Sequence, residues 1–289
     1  MEHLIRLEAG LFVKRNETWN RLGAGTSLDS LLALPLDEIR RVLERDTQMV
    51  DAPGEPNALA PIESQEVWAA GVTYKRSLAA RAEEAVSPDP YERVYTAPRP
   101  ELFFKATASR VRGPGDVINI RSDSTWDVPE PELAVVCNRW MEVVGYTIGN
   151  DMSSRSIEGE NPLYLPQAKV FDGCCALGPA IVLAWDYSPQ DRPISLEINR
   201  AGSVVYAGET STSAMRRKVP ELLEYLGRDQ SFAHGCVLLT GTGVVPPQDV
   251  TLQDKDEVAI AIEGIGVLTN PVRRHPGKLA RSWPATTDG

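Results

Sequence analysis

The sequence predicts an α+β protein that is mainly β, with a small N-terminal α/β domain over residues 1–60 and a larger mixed domain over 61–289. Three observations carry that expectation. Apolar runs of strand length recur from Val67 to Glu263, one long helical pattern stands late in the chain, and a stretch rich in Pro, Ala and Asn, Asp51 to Pro61, separates the two parts.

In the first part, Leu4 to Trp19 is strand-like and broken at Arg15-Asn16-Glu17, and Pro35 to Arg45 sets Ile39, Val42 and Leu43 at helical spacing. Past the linker, strands are expected at Val67–Thr73 and Asp116–Ile120. Residues 132–137 and 143–148 read as two strands joined by Asn138–Glu142, which makes an antiparallel hairpin the default. Further strands are expected at Ile181–Ala184, at Ile194–Asn199 and Val204–Ala207 across an Ala201-Gly202 turn, at Val237–Thr240 and at Glu257–Glu263. Lys75–Pro100, rich in Ala, Glu and Arg, reads as a helical insertion and a candidate lid. Ser211–Leu226 places Met215, Val219, Leu222, Leu223 and Leu226 on one helical face, with Pro220 bending or restarting the helix and Gly227 ending it. Arg273–Gly289 reads as a loosely ordered tail.

Composition removes several function classes. A net charge of −10 on 289 residues disfavours nucleic acid and anionic membranes as partners, because both need a basic surface. No run approaches the roughly 18 apolar residues of a membrane span, and Met1–Arg6 lacks the apolar core of a signal peptide, so the expected location is the cytoplasm. Cys137, Cys174, Cys175 and Cys236 show no C-x-x-C spacing and read as reduced, buried thiols. The three histidines, His3, His234 and His275, leave neither an imidazole-rich metal site nor a Ser-His-Asp triad easy to build.

The chemistry concentrates at Trp126-Asp127-Val128-Pro129-Glu130-Pro131-Glu132. Each Pro pushes the residue before it toward extended backbone, so Glu130 and Glu132 share a face. If the hairpin turns near Trp140 and Met141, Glu130 falls opposite Asp151 and Glu132 lies diagonal to it on the same face. Three carboxylates packed together repel, so such a cluster binds a cation or has raised pKa values. All-oxygen ligation points to a hard ion, Mg²⁺ above all, with Mn²⁺ or Ca²⁺ as alternatives. The bland reading is two solvated glutamates beside a Pro-rich turn.

Other residues gather downstream. Arg155, four residues past Asp151, offers a bidentate fork for a carboxylate, or else a salt bridge with Glu158. Lys169 sits among apolar neighbours, and a partly desolvated lysine beside a cation has its neutral form favoured and can act as a base. Thr240-Gly241-Thr242-Gly243 follows a strand, either as a plain turn or as backbone that approaches a ligand.

Taken together, Pro129–Val136, Gly145–Asp151, Lys169 with Phe171-Asp172-Gly173, Gly178-Pro179 and Thr240-Gly241-Thr242 resemble the fumarylacetoacetate hydrolase superfamily. The resemblance implies a mixed β-roll catalytic domain over about 65–272, a divalent ion held by Glu130, Glu132 and Asp151, and a small 2-oxo acid substrate chelating that ion. It also implies that Arg155, Glu158, Lys169 and Thr242 face the substrate, and that the chain forms a homodimer or homotetramer. One departure matters. Where the hydrolase branch carries N-Y-x-x-H-x-x-E, this chain reads Thr73-Tyr74-Lys75-Arg76-Ser77-Leu78-Ala79-Ala80, without the His that activates water. Arg99–Ala106, Glu160–Gln167 and Met215–Lys218 extend the similarity toward the branch that dehydrates 2-keto-3-deoxy-pentonates to 2,5-dioxopentanoate. In that reading Lys169 is the base at C3, and Glu158 or a metal-bound water assists loss of the C4 hydroxyl. Acylpyruvate hydrolysis, oxaloacetate decarboxylation and a non-enzymatic sensor are the alternatives.

Overall fold

Tight turns set the start of the chain. In the computed structural model, which describes residues 1–53, 58–75 and 89–277, strands β1 (Glu2–Leu7), β2 (Gly10–Arg15) and β3 (Thr18–Leu22) form a meander. Gly10 and Asn16 adopt positive φ at the two reversals, a conformation open to Gly and tolerated by Asn. Ser27 caps helix α1 (Leu28–Leu32) by accepting from the Ser30 N–H. Helix α2 (Leu36–Arg45) follows, and β4 (Thr47–Val50) returns to pair with β3.

The remaining described elements are β5 (Glu66–Gly71), α3 (Asp89–Thr96), β6 (Glu101–Ala106), β7 (Val111–Arg112), β8 (Ile118–Ile120), β9 (Asp127–Val128), β10 (Pro131–Cys137) and β11 (Val143–Asp151). Then come β12 (Ser153–Ser154), α4 (Arg155–Glu160), α5 (Leu165–Lys169), β13 (Cys175–Leu183), β14 (Pro193–Arg200), β15 (Ser203–Ser211), α6 (Val219–Gly227), β16 (Cys236–Leu239), β17 (Glu257–Ile262) and β18 (Gly266–Arg274).

One large sheet runs β4-β3-β2-β1-β13-β11-β10-β16-β5-β6, with β7 beside β13, and a second runs β15-β14-β17-β18-β8. Alternation along β10 serves two cores at once. Leu133, Val135 and Cys137 pack with Leu196, Ile198, Val258 and Ile260 of the second sheet, inside the roll. Ala134 and Val136 face the other way, against a cluster that includes Leu28, Leu31, Ile39 and Leu43 of the N-terminal helices. The first fifty residues therefore share both a sheet and a core with the roll, through β1 paired to β13 at His3↔Val182 and Leu4↔Ile181.

The mainly β, mixed-sheet α+β class holds, and the 132/143 hairpin forms with the expected connection, closed by Asn138 N–H to Glu142 O. Elsewhere the sequence reading is corrected. The late helix begins at Val219, not Ser211, because Ser203–Ser211 is a strand and Pro220 takes the first helical turn, where its missing N–H costs nothing. Glu101–Ala106 and Gly266–Arg274 are additional strands, the second absorbing Arg273 and Arg274 of the expected tail. Of the expected 75–100 helical insertion, Asp89–Thr96 is helix, whereas residues 76–88 lie outside the described residues, as do 54–57 of the linker and 278–289 of the tail.

Candidate metal and active site

The hairpin register decides where the acids meet. Asp151 N–H donates to Glu130 O at 3.0 Å, and Glu132 pairs with Gly149, two residues from Asp151 on the same face. Glu130, Glu132 and Asp151 are at most 3% exposed, and each offers an oxygen within 4.8 Å of the others.

Buried carboxylates must be compensated. Lys169 Nζ donates to Glu130 Oε2 at 2.5 Å, Asp151 Oδ2 at 3.0 Å and Ser153 Oγ at 2.5 Å. Arg155 Nη2 donates to the other Glu130 oxygen at 2.6 Å. Lys105 Nζ stands 2.5 Å from Asp151 Oδ1 and donates to the carbonyls of Met152 and Lys169. Glu132 touches none of these cations directly; its Oε2 accepts from the Gly241 N–H. Burial, then the Asp151 and Glu130 charges, push the Glu132 carboxyl well above the usual carboxylate range, against smaller opposing effects of Lys169 and the Gly241 N–H.

That donor set fits a hard divalent cation. Three carboxylates of converging aim, one of them energetically averse to ionising without a further positive charge, are what Mg²⁺ ligation relieves. Glu130, Glu132 and Asp151 would hold the ion.

A small cleft opens on the triad, lined by Ala70, Gly71, Val72, Phe103, Lys169, Gly241 and Thr242 as well as the three acids. Gly241 is required here. Its φ is +91°, and a Cβ would lie 2.9 Å from the Ala70 carbonyl oxygen. Thr73 Oγ1, donating to Thr240 O at 2.7 Å, fixes this loop beside β5. The Thr242 hydroxyl donates to Val244 O and accepts from Val244 N, so it braces its own turn at the cleft wall. Tyr74, 1% exposed, has its hydroxyl pushed above the usual range by burial and then by the Glu132 charge.

The expected residues therefore separate. Lys169 and Thr242 line the cleft with the triad. Arg155 is fully buried and bound to Glu130 rather than presented to solvent, and Glu158 lies 3.9 Å from Arg155 Nη1; neither is among the residues that line the cleft. Lys105 was given no role by the sequence reading. Its pattern, Phe103-Phe104-Lys105-Ala106, offers no clean alternation, because an irregularity in the β5–β6 pairing falls there, where Val67 pairs with Ala106 and Trp68 with Phe104.

Comparison with known proteins gives a consistent neighbourhood. Residues 66–273 match the family model "Fumarylacetoacetate (FAA) hydrolase C-terminal". The chain is 51% identical over 245 residues, 84% of each chain, to a probable 2-keto-3-deoxyxylonate dehydratase of Haloferax volcanii. It is 47% identical over 219 residues, 74% of each chain, to a 2-dehydro-3-deoxy-D-arabinonate dehydratase of Saccharolobus solfataricus. Among solved structures it resembles a 2-keto-3-deoxy-D-arabinonate dehydratase complexed with magnesium and 2,5-dioxopentanoate, with a TM-score of 0.83 and 37% identity over 95% of this chain and 99% of that one.

Proposed function

Because the chain belongs to the fumarylacetoacetate hydrolase family, we propose that it is a Mg²⁺-dependent hydro-lyase that converts a 2-keto-3-deoxy-pentonate, such as 2-keto-3-deoxy-D-arabinonate, to 2,5-dioxopentanoate. The observation that carries this reading is the buried Glu130, Glu132 and Asp151 cluster with Lys169 bridging two of its members, in a chain so close to two dehydratases. A bound Mg²⁺ would polarise the keto oxygen of a chelated 2-oxo acid and so acidify its C3 hydrogens.

The chain's own groups do the rest. Lys169, whose Nζ sits between Glu130 and Asp151, takes the C3 proton. Ser153, accepting from Lys169 Nζ and donating to the Asp151 carbonyl, aims the amine. Arg155 orients Glu130, and Lys105 orients Asp151, so the ligand oxygens are held before anything binds. The Gly241–Thr242 turn keeps a backbone donor on Glu132. The Tyr74 stretch carries no His to activate water, which favours elimination over acylpyruvate hydrolysis. The reading includes a cytoplasmic enzyme assembled from identical subunits, as a dimer or tetramer.

Proton NMR of 2-keto-3-deoxy-D-arabinonate and its C4 epimer, with Mg²⁺ and with excess EDTA, tests it. Aldehyde signals are expected from one or both epimers with Mg²⁺ only. Conversion undiminished in EDTA would refute the metal assignment, and pyruvate release from acylpyruvates without any aldehyde would move the enzyme to the hydrolytic branch.

A further inference from the structure

We propose that a cavity on the roll side of the β10–β11 hairpin is a second ligand site, which takes a small monocarboxylate with a short aliphatic body. The cavity measures about 340 Å³, within the range of small-molecule sites, and shares no lining residue with the metal cleft. Leu133 explains the separation. It follows Glu132 on β10, so its side chain points to the opposite face, into the roll, where it walls the cavity with Val143, Met215 and Val219.

Apolar walls alone would take any hydrocarbon, and donors without partners select an anion. Tyr146 of β11 lines the same cavity and is 7% exposed. Its hydroxyl makes no hydrogen bond among the described residues and is not one of the fully enclosed unpartnered atoms, so the space it meets is the cavity. Burial, then the proximity of Cys137, push that hydroxyl up to about 12, so it keeps its proton and donates at neutral pH. Helix α6 begins at the cavity with Val219 and Pro220, and no side chain caps it. Among the described residues the N–H groups of Val219 and Glu221 donate to no protein group. Free N–H groups at a helix N-terminus carry partial positive charge and favour an anion. Lys218, the residue before the helix, also lines the cavity, and its ammonium makes no ion pair or hydrogen bond among the described residues.

The remaining polar groups limit the ligand to one charge. Thr212 spends its hydroxyl on the Pro189 carbonyl and the Arg192 N–H, and Asp191 accepts from Ser211 Oγ at 2.9 Å, which favours its ionised form. A single anionic head at Lys218 with an uncharged body therefore fits, whereas a second negative charge would meet Asp191.

Hexanoate is the probe, titrated into the full chain by calorimetry in saturating Mg²⁺ and again in excess EDTA. A carboxylate seated on the metal is lost in EDTA; one in the cavity is not. Binding to one site per chain is expected in both. Lys218→Met should weaken it at least about fivefold and Tyr146→Phe about three- to tenfold, since each removes one donor to the head group. Val219→Trp fills the cavity from a half-buried position and should abolish binding. Hexan-1-ol and hexylammonium should bind at least about tenfold more weakly than hexanoate. Absence of hexanoate binding overturns the proposal, as does binding that EDTA removes. Binding left intact by Lys218→Met and Tyr146→Phe, or by Val219→Trp, would place hexanoate elsewhere and overturn it too. Equal affinity for the alcohol would make this an apolar cavity without anion recognition and refute the ligand class. None of these readouts involves turnover, so the cavity site and the dehydratase reading fail separately.

Discussion

Lys105 and Lys169 both reach Asp151, yet their remaining partners separate them. Lys105 is fully buried and spends two further bonds on backbone carbonyls, so it is a fixed charge that positions Asp151. Among the described residues Lys169 Nζ bonds only side chains, Glu130, Asp151 and Ser153, so it can leave them when a metal takes over the two acids. Replacing Lys105 with Met strips two buried carbonyls and one buried carboxylate of their partner, and should cost about 3–5 kcal/mol in urea unfolding, with or without Mg²⁺. Lys169→Met should be destabilised in EDTA but recover most of its stability in saturating Mg²⁺, while turnover stays down by about 10²-fold or more. Equal Mg²⁺ rescue of the two variants would contradict the division of labour. The acids were legible in the sequence because a short hairpin fixes register by counting, which put Glu130, Glu132 and Asp151 on one face. Of the cations, Lys169 was singled out and lines the cleft, whereas Lys105 was not, and the Arg155 fork was expected on a substrate carboxylate or on Glu158 rather than on Glu130. Whether Arg155 meets solvent or Glu130 depends on how α4 packs against β9, and nothing local to Ser153–Ser156 encodes that.

At the scale of the element, the segment that delivers Glu130 and the loop that delivers Gly241 are each under physical constraint. Asp127 in β9 is 1% exposed, and burial raises its carboxyl from the usual 3.8 to about 6, offset in part by Ser124 and Arg274. An acid whose folded pKa is raised is disfavoured as the anion. Its penalty is absent below about pH 4, grows as pH rises toward 6, and is constant above. Asp127→Asn should therefore match wild type near pH 4 and exceed it in stability above pH 6, by at most about 3 kcal/mol, when unfolding is followed across that range. A gap that widens instead as pH falls would show that the Asp127 anion is stabilised in the fold. Gly241→Ala places a Cβ against the Ala70 carbonyl at a φ of +91°, so it should cost about 1–3 kcal/mol and weaken Mg²⁺ binding by displacing the N–H that Glu132 accepts. The missed strands have one cause. Glu101–Ala106 and Gly266–Arg274 carry interruptions, a bulge near Lys105 in one and Pro271 in the other, that break the alternation a strand is read by.

Across the whole molecule, the path from the N-terminal strands to the metal site is short. The sheet runs β1, β13, β11, β10 without a gap, so the strand bearing Asp151 is two places from the strand that begins the chain. Leu177, Ile181 and Leu183 of β13 share one apolar cluster with Leu4, Leu11, Leu28 and Leu31, and with Ala134 and Val136 of the strand that bears Glu132. The composition shift at Asp51–Pro61 suggested a separable module; it could not reveal that β1 would pair far away, with β13, since long-range strand pairing leaves no local trace. The consequence is testable as a truncation. A variant comprising residues 61–289 would expose the β13 edge and the apolar face that α1 and α2 cover, and edges and faces of that kind favour aggregation over a unique fold. It should show no cooperative thermal transition, bind a hydrophobic dye strongly, and fail to gain stability from Mg²⁺. Supplying residues 1–60 as a separate chain should restore part of the Mg²⁺-dependent stabilisation, because the lost contacts are packing and ladder hydrogen bonds rather than covalent constraints. A fragment that unfolds cooperatively by itself, within a few degrees of the full chain and with Mg²⁺ still stabilising it, would mean that the roll builds its carboxylate site unaided and that β1 only decorates it.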